Sequence, residues 1–437
     1  MSFDAFHLHP DINAGLKTLG YVTPTPIQRQ AIPKVLEGRD LLGLAQTGTG
    51  KTAAFVLPIL QRLSQGPRGV IRALVIAPTR ELAEQIQVSF ANLGRQTGLR
   101  SVTIYGGVGM HQQIQALRKV EIVVACPGRL LDHFNQRSAN MSSLEVLVLD
   151  EADQMFDMGF LPSIRKIIKA VPQKRQTLLF SATMPDDIRH LAHECLRDPV
   201  TVQIDHEVPL TTVTHAVFLV KDHLKTAMLL HLLKPTNMES VLIFTRTKHR
   251  AKKLGVLLKD EGYLATSLQG NLSQNKRKAA LDGFRDGSFT VLVATDIAAR
   301  GIDVSQISHV INYDVPGTPE AYTHRIGRTG RAAKTGDAFT LVTDYDLDMI
   351  RAIERKMGKS LERRTLPGFD YARPASQEQR LASQGPKLHF RGRVGQPPQQ
   401  RPQTAPGQFQ QPAGGPSRGG PQARHGRKFN RHRRRPR

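Results

Sequence analysis

The chain has 437 residues, with 61 Lys and Arg against 37 Asp and Glu, a formal net charge of +24 and a pI near 10.4. Two distant cysteines, Cys126 and Cys195, exclude a disulfide scaffold or a Cys-rich zinc module and fit a reducing compartment. The 16 histidines show no ligand spacing, so no His-based metal centre is expected. No apolar run approaches the ~18 residues of a membrane span, and the opening MSFDAFHLHPDINAGL lacks the basic and apolar regions of a secretory leader. A cytoplasmic protein with a polyanionic partner and no membrane association is expected.

In chain order, short, largely apolar runs alternate with amphipathic stretches. Asp40–Leu44, Leu74–Ala77, Ile122–Ala125, Val146–Leu149 and Thr177–Phe180 read as strands buried on both faces. Ala53–Leu63 and Arg80–Leu93 read as helices between them. After a polar, proline-containing segment (Asp205–Leu210), the alternation restarts. Val241–Phe244, Thr290–Ala294, His309–Asn312 and Ala338–Val342 form the second set of strands. Strand–helix alternation implies a parallel, doubly wound α/β architecture. Two such domains are expected, 1–205 and 213–367, joined by a linker at 206–212.

From Ala375 onward the composition changes. The last 63 residues carry 12 Arg and 2 Lys against one acid, Glu378, a net of +13. They are also rich in Gln, Pro and Gly, and cannot bury enough apolar surface to offset chain entropy. A disordered tail over 368–437 is expected. Its Arg-Gly pairs and Phe409 and Phe429 could bind a polyanion by charge and stacking.

The strongest local pattern is Ala45-Gln46-Thr47-Gly48-Thr49-Gly50-Lys51-Thr52, between a strand and a helix. This is the context of a P-loop, although Ala45 stands where the general pattern has glycine. Glycines let backbone N–H groups approach phosphate oxygens, and the helix N-terminus adds partial positive charge. Lys51 would reach the β/γ-phosphates and Thr52 would ligate Mg²⁺. Asp150-Glu151-Ala152-Asp153 follows the Val146–Leu149 strand, at the edge where open α/β sheets bind ligands. Asp150 would hold Mg²⁺, partly through water, and Glu151 would activate the attacking water.

The Asp-Glu-Ala-Asp quartet resembles the signature of DEAD-box RNA helicases, and other segments resemble that family's motifs in the same order. Gly20-Tyr21 with Pro24–Gln28 is similar to the Q motif, which implies that Gln28 reads adenine and Phe3 stacks on it. Pro78–Ala83 resembles motif Ia, Gly106-Gly107 the GG motif, and Cys126–Arg129 motif Ib with Cys in place of Thr. Ser181-Ala182-Thr183 resembles the segment coupling hydrolysis to strand separation. Val241–Thr247, Ala294–Asp303 and His324–Arg331 resemble motifs IV, V and VI.

The resemblance covers about 1–367 and implies two tandem RecA-like domains using ATP and Mg²⁺. It implies arginine fingers at Arg328 and Arg331, a ribose contact at Asp303 and a coupling role for His324. Three-residue spacing places both fingers on one side of a helical turn. RNA would meet Thr79, Arg80, Gly107 and Arg129 on one domain and Arg246, Gln274, Arg277 and Thr295 on the other. Phosphate and sugar contacts of this kind are sequence-tolerant. The short N-terminal segment and basic tail resemble bacterial RhlE-like members. The expected activity is RNA-dependent ATP hydrolysis with local unwinding of short duplexes, by a monomeric core acting on ribosomal-precursor or RNA-decay assemblies. An ATP-locked RNA clamp shares all these motifs; a DNA helicase shares the two-domain core, but the DEAD quartet together with the Gln28 motif argues against it.

Overall fold

The structure is a computed structural model that describes residues 2–375, apart from Thr47, 205–212, 235–237, 300–306 and 330–335. Its first sheet contains β1 (Leu41–Leu44), β2 (Ala73–Ile76), β3 (Ser101–Ile104), β4 (Ile122–Ala125), β5 (Val146–Leu149), β6 (Gln176–Ser181) and β7 (Val200–Gln203). Its second contains β8 (Val213–Leu219), β9 (Val241–Thr245), β10 (Ala265–Leu268), β11 (Val291–Thr295), β12 (His309–Asn312), β13 (Gly336–Val342) and β14 (Glu362–Arg363). Every pairing is parallel.

The strand orders are β3-β4-β2-β5-β6-β1-β7 and β10-β11-β9-β12-β13-β8-β14. These are one order used twice, each strand of the second sheet lying where the strand seven earlier lies in the first. Central strands such as β2, β4 and β5 are buried throughout, because helices cover both faces of a parallel sheet. The helix Lys51–Leu63 packs on one face of the first sheet through Phe55, which meets Phe90 and Phe180 at ring-centroid distances of 6.5 and 5.5 Å. Ile164, Ile167, Ile188 and Leu191 close the other face.

The expected strands appear with ends shifted by a residue or two, and the helix Arg80–Leu93 has the expected bounds. The proposed linker lies outside the described residues. At the far end the chain keeps packing beyond 367. Phe369 and Tyr371 meet edge-to-face at 5.0 Å and pack against the second core, the Tyr371 hydroxyl accepts from the Leu366 N–H at 2.9 Å, and the Arg373 carbonyl bonds His223 at 2.9 Å. Residues 368–373 thus belong to the folded part. Compositional change marks a tail, but two aromatic rings are enough to carry the chain a little further across the core.

Among the described residues no helix is long and apolar enough to cross a membrane. No group of His, Cys, Asp and Glu among them forms a metal cluster.

Candidate active site

The loop after β1 carries the phosphate-binding pattern. Gly48 and Gly50 take φ of 87° and 94°, a left-handed conformation that glycine adopts without steric cost. A Cβ on Gly50 would stand 2.5 Å from the Gln28 amide nitrogen. The loop is pinned by the Ala45 N–H donating to the Ser181 carbonyl at 3.0 Å and the Thr49 hydroxyl donating to the Gln46 carbonyl at 2.8 Å. Lys51 opens the helix and is buried, with Nζ donating to the Ala45 carbonyl at 2.8 Å. Thr52, next on the helix, is half-buried. Thr47 lies outside the described residues.

The acidic quartet leaves the end of β5. Asp150 accepts from the Glu151 N–H at 3.0 Å, and Glu151 turns the chain at φ 52° into the helix Ala152–Asp157. Burial pushes the Asp150 carboxyl up to about 7. The Lys51 ammonium pulls it down, and the carboxylates of Glu151 and Asp153 push it up. The clustered carboxylates of Asp150, Glu151 and Asp153 and the Thr52 hydroxyl at the helix start offer the oxygen ligands that a hard divalent cation takes, and such a cation offsets clustered negative charge. The donor set therefore fits Mg²⁺ beside a phosphate chain.

Asp153 has its own task. Its Oδ2 accepts from the N–H groups of Ala182 and Thr183, at 3.2 and 3.0 Å, and from the Thr183 hydroxyl at 3.1 Å. The Ser181 hydroxyl donates to the Thr183 carbonyl at 2.7 Å. Asp153 therefore joins the quartet to the Ser181–Thr183 segment by hydrogen bonds. Sequence reasoning passed over Asp153, although its place in the quartet was visible.

Two residues expected at the nucleotide are also engaged within the protein. Gln28 is buried, and both ends of its amide are used. Oε1 accepts from the Thr25 N–H at 2.9 Å and Nε2 donates to the Gly50 carbonyl at 3.1 Å. It caps its own helix and braces the phosphate loop. Phe3 is 5% exposed and packs edge-on against Phe6 and Tyr21, both at 5.8 Å. The ring is built into the core wall and does not stand free as a stacking platform.

The second domain meets this site with the helix Pro319–Ile326. That helix ends at Ile326, so Arg328 follows it in a turn and does not lie on a helical face as its spacing suggested. Arg331 and Asp303 lie outside the described residues. Arg328 and His324 line two clefts to which both domains contribute. One, of about 260 Å³, includes Asp157 and Asp296; the other, of about 90 Å³, includes Gln46, Gln154 and Thr183. Gln154 Oε1 is buried there without a hydrogen-bond partner.

Between them Arg325 is buried, forks onto Asp296 at 2.6 and 2.7 Å, donates to Asn312 Oδ1 and the Asp314 carbonyl at 3.0 and 2.7 Å, and lies 4.9 Å over the Phe244 ring. It fixes the platform from which Arg328 projects. Arg325 was missed because an arginine in a basic run gives no sign of being buried.

The expected RNA contacts gather on another part of the domain boundary. Thr79 caps the helix Arg80–Leu93 by accepting from the Leu82 N–H at 3.3 Å. Gly107 takes φ 87° against the Arg80 guanidinium. Arg129 donates to the Val108 carbonyl at 2.8 Å and to Gln113 Oε1 at 3.2 Å. Gln113 is itself buried, bonded to the Tyr105 carbonyl at 2.9 Å and to His133 at 3.0 Å. Cys126 precedes the Arg129 helix at its N-cap, and burial pushes its thiol up to about 12, which keeps it protonated at neutral pH.

From the second domain, Gln274 accepts from Arg80 at 3.4 Å, Arg246 is exposed, and Thr295 ends β11. Arg277 departs from expectation. It is buried, and its Nε donates to Glu81 of the first domain at 2.6 Å. In this arrangement Arg277 ties the two domains together and offers no free guanidinium to a phosphate.

Residues 25–191 match the DEAD/DEAH box helicase family, and residues 224–333 match the helicase conserved C-terminal domain. The chain is 43% identical over 381 residues to the DEAD-box ATP-dependent RNA helicase CshA of Bacillus licheniformis, covering 86% of this chain and 78% of that protein. It is 44% identical over 372 residues to the ATP-dependent rRNA helicase RRP3 of Meyerozyma guilliermondii, covering 84% and 78%. Among solved structures, S. cerevisiae Dbp5 bound to RNA and ADP BeF3 superposes with a TM-score of 0.75 at 32% identity, covering 83% of this chain and 95% of that one.

Proposed function

Because the chain belongs to the DEAD/DEAH box helicase family, we propose that it is an RNA-dependent ATPase that unwinds short RNA duplexes locally and remodels RNA or RNA–protein complexes. The carrying observation is that Arg328 and His324 of one domain share a cleft with Gln46, Gln154 and Thr183 of the other. Hydrolysis then depends on both domains at once.

Lys51 would exchange the Ala45 carbonyl for the β/γ-phosphates, while the Gly48–Gly50 backbone closes around them. Glu151 would orient the attacking water and take its proton. Arg328, with Arg331, would stabilise charge on the transferring phosphoryl group through planar guanidinium forks. Thr52 and Asp150 would hold Mg²⁺, partly through water, which neutralises phosphate charge when bound. Any shift at Asp150–Glu151 passes to Ser181–Thr183 through Asp153.

On the RNA side, Thr79, Arg80, Gly107 and Arg129 would meet phosphates and sugars from one domain. Arg246, Gln274 and Thr295 would do so from the other. Gln28 keeps a second amide N–H and a second oxygen lone pair for adenine, whereas access to the Phe3 ring face and release of Arg277 from Glu81 would require side-chain movement when ligands enter.

The basic composition of 375–437 supports placement with bacterial RhlE-like members. The domain limits are 1–205 and about 213–373, the core acts as a monomer, and the cell compartment is the cytoplasm. A relative named as an rRNA helicase makes ribosomal precursors the first RNA to test, with RNA-decay assemblies second.

The test measures ATP hydrolysis and duplex release with RNA, with DNA of the same sequence, and with neither. RNA alone should stimulate hydrolysis, and ATP should be required for release. Equal stimulation by DNA would contradict the RNA assignment.

A further inference from the structure

The helix Lys248–Asp260 follows β9 directly and starts beside the expected RNA contacts. Thr247 caps it by accepting from the Arg250 N–H at 3.2 Å. The Lys248 ammonium donates to Asn271 Oδ1 at 3.2 Å, in the loop that leads to Gln274. The helix buries Ala251, Leu254, Gly255 and Leu258 against its sheet.

Its outer face is built against ordinary helix electrostatics. The first turn contains Lys248 and Arg250 and no acid, although cations at a helix N-terminus oppose the macrodipole. Lys248 and Lys252 form a like-charged i,i+4 pair, which is destabilising on a helix. The helix's one acid, Asp260, is its last residue. Among the described residues, Lys252, Lys253 and Lys259 have no ion-pair partner, and all three are exposed. Other helices pair their charges internally, as in Lys34–Glu37, Arg189–Asp186, Arg285–Asp282 and Arg351–Asp348.

Spacing gives the charges a direction. At 3.6 residues per turn, Lys248, Lys252 and Lys259 fall within about 40° of one another around the axis. They form a line roughly 16 Å long at 1.5 Å per residue, starting at the Asn271 contact and leading away from the domain boundary. A row of uncompensated ammonium groups on a rigid helix matches the repeating phosphates of one strand, and point-charge lysines suit a track without base preference.

We propose that Lys252 and Lys259 form a secondary RNA track, which takes the phosphates of the strand as it leaves the inter-domain groove past Lys248 and Asn271. The track rests on the RNA-binding reading above and extends it beyond the residues that resemble family motifs. It predicts that affinity depends on RNA length beyond what the groove itself holds.

The test uses the full chain with a non-hydrolysable ATP analogue. Binding is measured across a salt series for a short RNA that fills the groove and for one carrying single-stranded extensions at both ends. In Lys252→Gln/Lys259→Gln, affinity for the extended RNA should fall several-fold and the log–log salt slope should drop by about 1.4, roughly 0.7 for each lost phosphate contact on a single strand. Affinity for the short RNA should be unchanged, and Lys252→Arg/Lys259→Arg should restore the extended-RNA value. Equal binding of both RNAs by the Gln variant and the parent overturns the track, as does an equal loss on both. If the parent binds neither RNA, the RNA-binding reading itself fails and the track falls with it.

Discussion

The two domains use one strand order, yet they treat the same position in opposite ways. In the first, the connection from β1 to its helix turns through Gly48 and Gly50 at positive φ and presents Lys51 at the helix start. In the second, the connection from β8 runs through a one-turn helix, and Leu224 precedes Lys225 at φ −98°. Lys225 thus stands where Lys51 stands. Asp314, just after β12, answers Asp150, just after β5.

Around Lys51 the acids Asp150, Glu151 and Asp153 outnumber the cations. Around Lys225 the charges are matched. Its ammonium lies 3.9 Å from both Asp314 and Asp346 and donates to the Tyr313 carbonyl at 3.1 Å, while Asp314 also pairs with Arg250 and accepts from the Arg246 N–H at 2.8 Å. Burial lowers the Lys225 pKa, and the two carboxylates counter this. The shared topology supplies the position. A glycine loop with carboxylates left for a cation makes one copy a site, and a filled ion-pair cluster makes the other a scaffold.

The largest effect that could break this comparison is at Lys51. Lys51→Ala should lower RNA-stimulated turnover by at least the 10²- to 10³-fold order seen when one charge-stabilising donor is lost, with the melting temperature nearly unchanged. An unaffected turnover would remove the site from the first domain.

Asp314→Ala should act in the reverse sense. It leaves buried Lys225 with Asp346 as its remaining carboxylate and removes the partner of the partly exposed Arg250; breaking a fully buried pair costs about 3–5 kcal/mol, and solvent screening at Arg250 makes the loss smaller here. A denaturant midpoint should fall accordingly, and a wild-type midpoint would show that the cluster is not a scaffold.

Gly50→Ala probes the glycine loop. A non-glycine residue in the left-handed region costs about 1–2 kcal/mol, and its Cβ would crowd Gln28. Nucleotide affinity should drop, and the ligand-free chain should lose stability of about that size; parental values of both would mean that the loop reshapes freely.

The smallest effect concerns pH. Burial lowers the pKa of His133, a fully buried ring bonded to Gln113 and Ser138 behind Arg129. As pH falls below the ordinary value of 6.5, the unfolded chain takes up a proton before the folded one does, so stability is lost on the acid side and is intact above it. His133→Gln should flatten that acid-side loss in melts taken between neutral and mildly acidic pH. Parallel profiles would assign the acid sensitivity elsewhere.

What the sequence made legible follows from what burial does to composition. Central strands such as Ile122–Ala125 and Val146–Leu149 are apolar at every position, and they stood out. Ser101–Ile104, at one edge of the first sheet, and Ala265–Leu268, at the matching edge of the second, are only partly buried and mix hydroxyls with apolar residues, so no run marked them. The duplicated strand order was also hidden, because equivalent strands share a burial pattern and not residues.

At the site, residue types with demanding chemistry were readable: Lys51, Asp150, Glu151 and the glycines around them. Partner choice was not. Nothing local says that Arg277 faces Glu81 across the domain boundary, that Gln28 spends its amide on Gly50, or that Phe3 is walled in by Phe6 and Tyr21. Those outcomes depend on which distant segment arrives alongside.

The central claim is that one catalytic site is completed by both domains, with nucleotide on one side and RNA on the other. Coupled binding tests it most directly: RNA affinity with and without a non-hydrolysable ATP analogue, and analogue affinity with and without RNA, on the full chain. The account predicts that each ligand tightens the other by the same factor, as linkage requires, and that Arg328→Ala reduces that factor. Independent binding of the two ligands, with no change in either affinity, would contradict it.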